Sequence, residues 1–144
     1  MPYTINAGAN ALAIAEREWA AAANVAAVNG DTQPTIQFTA FTSCIGIAAR
    51  NVAATQVIGI HLSIYDGNTI FTAADVPNVI AILTAQNYDA NNVFIIGQTS
   101  AWEASVNAAY AALVAALPNA QIYTLGDGTY GAGISAGGAL EPTY

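Results

Sequence analysis

The sequence predicts an α+β or three-layer α/β domain built on a mixed β-sheet. Between residues 35 and 65, β-branched and other apolar side chains recur with a period of two, which is typical of strands. From residue 72 onward, helical and strand-like segments alternate along the chain. Consecutive strands followed by strand–helix alternation favour a sheet covered by helices. A chain of 144 residues is long enough to form one such domain with its own core.

The first predicted element is an N-terminal helix over about residues 10–28. Alanine, leucine, glutamate and arginine dominate this segment, Asn10 is a candidate N-cap, and Gly30 follows as a stop. Trp19 is the largest side chain of an apolar stripe at helical spacing, which is expected to face the core. The stripe consists of Leu12, Ala15, Trp19, Ala22 and Ala26.

The remaining elements are predicted from local pattern and from turn residues. Strands are predicted at about 35–41, 44–50, 56–65, 70–71, 93–96, 122–125 and 130–134. Turns or loops are predicted at 29–31, 51–55 and 66–68. Two helices are predicted, one opened by a capping box at 72–75 and ending near Gln86, the other opened by a capping box at 100–103 and closed by Pro118.

Residues 126–131 match the pattern G-x-G-x-x-G, which also occurs in dinucleotide-binding folds. Such a fold needs a helix directly after the glycines and an acidic residue about 20 positions further on. Only glycine-rich residues follow here, so the segment is expected to be the turn of a hairpin that pairs 130–134 with the preceding strand. No cofactor is expected. A metal site is not expected either, because one histidine and one cysteine fall short of the usual three or four ligands.

The charge balance argues against nucleic acid as a partner. Arg17 and Arg50 are the only cations, and the net charge is −7. Binding to phosphates needs clustered basic side chains, which two separated arginines do not provide. The nine carboxylates are spread along the chain and fit a solvated surface. A lysine-free chain also has no side chain for ubiquitin attachment, a trait that would suit a toxin or effector inside a eukaryotic cell.

The chain is unusually apolar, with a mean hydropathy of +0.44. No membrane span is expected, because the two most apolar segments, 7–28 and 101–117, are interrupted by charged residues. The first residues lack the basic region and the long apolar core of a signal peptide, and an unpaired cysteine fits a reducing compartment. We therefore expect a cytoplasmic protein, or one exported as an effector without an N-terminal signal peptide.

Cys44 and His61 are the only cysteine and the only histidine, and they lie seventeen residues apart in two predicted strands. A thiol with a pKa of about 8.5 needs a base to become a good nucleophile near neutral pH, and imidazole is the usual partner. Such a pair would lower the pKa of the thiol. The alternative is that Cys44 is a small buried hydrophobic residue and that His61 is simply hydrogen-bonded in place. Composition and spacing leave both interpretations open.

Four segments together resemble a known family. These are Thr42-Ser43-Cys44 at the start of a strand, Gly-Ile-His-Leu at 59–62, Asn-Val-Phe-Ile-Ile-Gly at 92–97, and Ile-Tyr-Thr-Leu-Gly-Asp-Gly at 122–128. Their order and spacing resemble those of the CheD chemoreceptor glutamine deamidases, which are related in fold to the catalytic domains of cytotoxic necrotising factor and Burkholderia lethal factor. The resemblance covers about residues 35–140. It implies a CheD-like fold, a mixed β-sheet or β-sandwich flanked by helices.

The resemblance also implies roles for individual residues. Cys44 would be the nucleophile, His61 the general base, and Ser43 and Thr42 would lie at the oxyanion and substrate position. The partner would be a protein that presents an exposed glutamine side chain, with no cofactor and no metal. Two other functions stay open: a noncatalytic binding or regulatory module of the same fold, and a different thiol enzyme such as a small cysteine protease or transglutaminase.

The third member of the site is where the chain departs from the family. The family places a threonine six residues before the cysteine, a position that Phe38 occupies here, while Thr39 is one residue away. In a continuous strand, Thr39 would point to the opposite face. Either a β-bulge returns Thr39 to His61, or a backbone carbonyl orients the imidazole.

Overall fold

Eleven strands and three α-helices make up the regular structure of residues 2–144, the part of the chain that the computed structural model describes. The strands are β1 Asn6–Ala7, β2 Glu18–Ala23, β3 Ile36–Gln37, β4 Ile45–Asn51, β5 Gln56–Leu62, β6 Tyr65–Asp66, β7 Thr69–Ile70, β8 Tyr88–Gly97, β9 Gln121–Thr124, β10 Gly131–Ile134 and β11 Leu140–Thr143. The helices are α1 Val76–Ala85, α2 Thr99–Ser105 and α3 Asn107–Ala116, with a 3₁₀ turn at Ala73–Asp75 before α1. The predicted α+β class is confirmed.

The strands form two principal sheets and one small hairpin. The larger sheet has six strands in the order β1-β2-β5-β4-β8-β9, and the smaller has three in the order β11-β10-β3. The pairs β1–β2 and β8–β9 are parallel, and the central pairs are antiparallel, so the large sheet is mixed. Strands β6 and β7 pair with each other around the turn that contains Gly67, as predicted.

The two faces of the large sheet pack against different layers. Side chains alternate between the faces of a strand, and on β4 Ile45 and Ile47 face the helices while Ala48 faces the small sheet. The helix-side core includes Ile45, Ile47, Ile58, Ile60, Val79, Leu83, Trp102 and Leu113. The opposite core includes Ile14, Ile36, Phe38, Phe41, Cys44, Ala48, Phe94, Ala132 and Ile134. The molecule is therefore layered as helices, large sheet and small sheet.

The predicted N-terminal helix over 10–28 is wrong. Residues 10–17 run without regular structure apart from a bridge at Ile14, and β2 then pairs antiparallel with β5. Leu12, expected in the core, is 54% exposed. Helix propensity differs by only a few tenths of a kcal/mol between most residues, and tertiary context overrides it. Here β2 satisfies the backbone of β5 and places Ala20 in the small-sheet core.

Two other predictions about the segments near the site are also wrong. The strand predicted at 35–41 is reduced to β3, and residues 38–44 cross from the small sheet to the large one. The glycine-rich segment 126–131 is not a hairpin turn, because β9 belongs to the large sheet and β10 pairs with β3 and β11 in the small sheet. The segment joins the two sheets, and its Gly128 forms a bridge with Phe41.

The helices begin and end close to where they were predicted, with two differences. The Thr72–Asp75 capping box is present, with the Asp75 carboxylate accepting from the Thr72 backbone N–H at 2.8 Å. The capping box predicted at Ser100 is absent, because the helix begins at Thr99 and no side chain caps it. The single helix predicted to follow is two helices, which break at Val106. Within residues 2–144, no helix combines the length and the apolar character needed to cross a membrane.

Candidate active site

The pairing of β4 with β5 places Cys44 and His61 on the same face of the large sheet. Gly46 lies directly opposite His61, and Cys44 precedes Gly46 by two residues, so its side chain points to the same side. Cys44 and His61 are therefore diagonal neighbours on two paired strands, a separation that a long or aromatic side chain can span. Both side chains lie in the layer between the two sheets, where the rings of Phe38 and Phe41 pack against the imidazole at centroid distances of 5.7 and 4.8 Å.

The hydrogen bonds of His61 determine which ring nitrogen carries the proton. Nδ1 lies 2.7 Å from the backbone carbonyl of Ile14, which only accepts, so Nδ1 donates. Nε2 of the neutral ring then has a free lone pair, and within residues 2–144 it has no hydrogen-bond partner although it is buried. Burial lowers the pKa of His61, partly offset by the Ile14 carbonyl and by the charges of Glu16 and Glu18. The imidazole is thus neutral and has the tautomer that a base at Nε2 requires.

Thr39 is a secondary partner of the same nitrogen. Its Oγ1 lies 3.5 Å from His61 Nδ1 and 3.4 Å from the Ile14 carbonyl, both longer than the 2.7 Å between Nδ1 and that carbonyl. The expectation that Thr39 needs a β-bulge to reach His61 is wrong, because Thr39 and Cys44 do not share a continuous strand. Of the two acceptors considered, the carbonyl makes the shorter contact.

The Cys44 thiol is buried and protonated. Cys44 is 1% exposed, and its Sγ donates to Oε1 of Glu16 at 3.3 Å. The pKa of Cys44 is raised to about 12, chiefly by burial and also by the adjacent Glu16 carboxylate, while a backbone hydrogen bond at Thr42 and the charge of Arg17 act in the opposite direction. This direction is opposite to the lowered pKa expected for a thiol paired with imidazole. No hydrogen bond joins Sγ to His61 anywhere in the part of the chain that the structure describes.

Glu16 is the polar neighbour of the thiol that sequence reasoning missed. It lies in the N-terminal segment, which was assigned to a helix, and the only sequence signal was an isolated cluster of charge at Glu16-Arg17-Glu18. The backbone of Arg17 has a φ of +59° and its N–H donates to the carbonyl of His61 at 2.7 Å. This left-handed residue turns the chain into β2 and directs Glu16 toward Cys44. The guanidinium of Arg17 lies 3.7 Å from the Glu16 carboxylate.

The turn before Cys44 is exposed and has unusual backbone geometry. Thr42 and Ser43 are both exposed, and Ser43 has a φ of +74°, which is uncommon for a residue other than glycine. The indole N–H of the buried Trp102 donates to the Ser43 carbonyl at 3.1 Å and fixes the orientation of that peptide. Among residues 2–144, no backbone carbonyl accepts from the N–H of Ser43 or Cys44. Neither N–H is therefore committed to a backbone partner within these residues.

The arrangement brings together a thiol, a neutral imidazole, a carboxylate and two free backbone N–H groups. Of the residues proposed from sequence, Cys44, His61 and Thr39 lie between the sheets, while Ser43 and Thr42 form the exposed turn beside them. No group of three or more histidine, cysteine or acidic side chains within residues 2–144 is arranged to hold a metal ion. Thiol, imidazole and backbone N–H groups are residue types used in attack on a carbonyl group, and in this arrangement the thiol donates to Glu16 rather than to His61.

Models of known protein families, curated proteins and solved structures were each compared with the chain, and none of them matches.

Proposed function

We propose that the protein is a thiol-dependent glutamine deamidase that acts on a side-chain amide of a partner protein. The observation that supports this most directly is the hydrogen bond from His61 Nδ1 to the Ile14 carbonyl at 2.7 Å, which leaves a buried Nε2 lone pair on the face that also holds Cys44. A histidine kept only for packing would not need its second nitrogen left without a partner. The order and spacing of the segments that resemble CheD deamidases point the same way.

The proposed reaction begins with transfer of the Cys44 proton to His61 Nε2. The thiolate attacks the carboxamide carbon, and the oxyanion accepts hydrogen bonds from the free N–H groups of Ser43 and Cys44. His61 then gives its proton to the nitrogen, the C–N bond breaks, and ammonia leaves a thioester on Cys44. Water attacks the thioester with His61 again as base, the C–S bond breaks, and glutamate and the thiol are released. No cofactor takes part.

Catalysis by this pair requires the thiol to become accessible. Cys44 is covered, but the adjacent Glu16 side chain is 44% exposed and the turn at Thr42 and Ser43 is at the surface. A substrate reaches Sγ only if the side chains that cover it shift, and Glu16 is the exposed side chain that contacts Sγ directly. The raised pKa of Cys44 means that the resting thiol is neutral, so the nucleophile forms only when a substrate is in place and His61 accepts the proton.

A noncatalytic module of the same architecture is the second candidate. The burial of both side chains and the absence of an Sγ–His61 hydrogen bond within residues 2–144 favour it, since a structural cysteine and histidine would look similar. The two candidates differ in one respect. Only the enzyme makes a product whose formation depends on both Cys44 and His61.

The test uses bacterial and eukaryotic cell extracts incubated with the native protein, in the presence of a free small amine. Mass spectrometry of the extract proteins is expected to find glutamine converted to glutamate at specific sites, and Cys44→Ser and His61→Gln are each expected to abolish the conversion. Cleaved peptides would instead identify a protease, and glutamine joined to the amine a transglutaminase. If the native protein and Cys44→Ser give the same products, the proposal is wrong and the noncatalytic module is favoured.

A further inference from the structure

The polar groups around Sγ of Cys44 are complementary to both ends of a primary carboxamide. Such a group presents a carbonyl oxygen, which accepts, and an NH₂ group, which donates two hydrogens. The free N–H groups of Ser43 and Cys44 match the oxygen. The Glu16 carboxylate, 3.3 Å from Sγ, is a strong acceptor on the thiol itself. His61 Nε2, buried and without a partner within residues 2–144, is available for the proton.

We propose that Glu16 is the specificity-determining residue of this site, where its carboxylate accepts an N–H of the substrate carboxamide and rejects a carboxylate at the same position. This inference rests on the proposed function, because it assigns the recognition of the amide group in that reaction.

The present partner of Glu16 explains why the substrate has to supply a hydrogen-bond donor when it arrives. Oε1 of Glu16 now accepts the S–H of Cys44. When that proton moves to His61, the carboxylate loses its donor and faces a developing negative charge on sulfur. An N–H from the substrate replaces the lost donor and lies between the two negative groups. A primary amide provides this hydrogen bond, whereas a carboxylate would add a third negative group.

The same geometry predicts the fate of the product. Ammonia leaves and the oxygen of water takes its place, so the product carboxylate meets Glu16 as a like charge and is expelled. Arg17 holds the Glu16 carboxylate from its other oxygen at 3.7 Å. The two contacts place the Glu16 carboxylate between the thiol and the Arg17 guanidinium.

The experiment compares two alkylating reagents of nearly equal size. Iodoacetamide has a primary carboxamide next to its reactive carbon, and iodoacetate has a carboxylate at the same place. In each case the sulfur forms a bond to carbon and iodide leaves, so the two reagents differ mainly in the charge and the hydrogen-bonding groups that they present to the site. Rates are measured on the native full chain at neutral pH, with free cysteine as the reference. The wild-type ratio is expected to favour iodoacetamide about tenfold more than free cysteine does, which corresponds to about 1.4 kcal/mol.

Glu16→Gln is expected to bring this ratio to within about twofold of the free cysteine value. Glu103→Gln is the matched control, because it removes the same charge from an exposed position on α2 and is expected to leave the wild-type ratio unchanged. An unchanged ratio in Glu16→Gln overturns the inference, and so does the absence of native labelling by either reagent. If the ratio depends on Glu16 but no extract protein is deamidated, the proposed function alone fails. If deamidation occurs while the ratio is independent of Glu16, the inference alone fails.

Discussion

The two faces of the large sheet are built from the same strands but from different kinds of side chain. On the helix side, β4 and β5 present Ile45, Ile47, Ile58 and Ile60, all fully buried. On the small-sheet side, the same strands present Gly46, Ala48, Val57, Gly59 and His61, and Cys44 directly precedes β4 on the same face. The helix side is a layer of large apolar residues that stabilises the fold. The small-sheet side leaves space, and other segments fill it.

The glycines explain how the small-sheet side becomes a site. A Cβ on Gly46 would lie 2.5 Å from the ring of Phe38, and one on Gly59 would lie 2.8 Å from the side chains of Ile14 and Ile36. The N-terminal segment and the small sheet therefore approach the backbone of β4 and β5 at these positions. That close approach brings the Ile14 carbonyl and the aromatic rings around His61. The helix side of the large sheet therefore mainly stabilises the fold, and the small-sheet side holds the polar groups of the candidate site.

The largest expected effect on stability comes from Ile47→Ala on the helix side. Removing a fully buried isoleucine leaves a cavity, and we expect the free energy of unfolding to fall by about 2–5 kcal/mol. Cys44→Ala on the opposite face removes a single sulfur atom and should lower it by about 1 kcal/mol. Urea unfolding of the two variants measures both values. Equal losses would contradict the division of roles between the two faces.

An intermediate effect is expected from pH, and the part of it that comes from His61 acts on the small-sheet side. The pKa of His61 is lowered in the folded protein, so below about pH 6.5 the unfolded chain binds a proton that the folded protein does not. The free energy of unfolding should therefore decrease as the pH falls from 7.5 to 5.5. When the pH is below the pKa of His61 in the folded protein, the full loss is about 1.4 kcal/mol for each unit by which folding lowers that pKa.

His61→Gln serves as the reference for this measurement. The carboxylates contribute in the same way to both proteins, so the difference between the two pH dependences isolates the imidazole. We expect the variant to lose less stability than the wild type between pH 7.5 and 5.5. The same loss in both proteins would mean that His61 is protonated in the folded state.

The smallest effect is expected from Thr39→Val. Because the Ile14 carbonyl at 2.7 Å is the main partner of Nδ1, loss of the hydroxyl at 3.5 Å should leave the imidazole in place. We expect a change in the free energy of unfolding within about 0.5 kcal/mol and a change of less than about threefold in any product that depends on Cys44. A tenfold loss of that product without unfolding would instead make Thr39 the residue that orients His61.

The parts of the fold that could be predicted from sequence are those where local pattern and tertiary environment agree. Strands β4 and β5 are clear because their β-branched residues alternate and turn residues separate them. The N-terminal segment was predicted wrongly because its alanines favour a helix in isolation, whereas in the protein the free edge of β5 provides backbone partners that β2 occupies.

The candidate site was predictable to a similar extent. Cys44 and His61 could be proposed because each is the only residue of its type and both lie in apolar strands. Glu16 could not, since its contact with Cys44 depends on the left-handed backbone of Arg17 and on the pairing of β2 with β5. The raised pKa of Cys44 was not predictable either, because it arises from burial that only the packed sheets produce.

Because β2 pairs with β5, formation of the site depends on the order in which the chain is synthesised. Glu18 of β2 lies opposite His61, and the Ile14 carbonyl and the Arg17 N–H hold the ring and the backbone of that histidine. A ribosome synthesises these N-terminal residues more than forty positions before His61. The nascent chain therefore has to keep an alanine-rich segment unpaired until β5 emerges. Local unfolding of this segment would remove the contacts of His61 with Ile14 and Arg17 while strands β4, β5 and β8 stay folded.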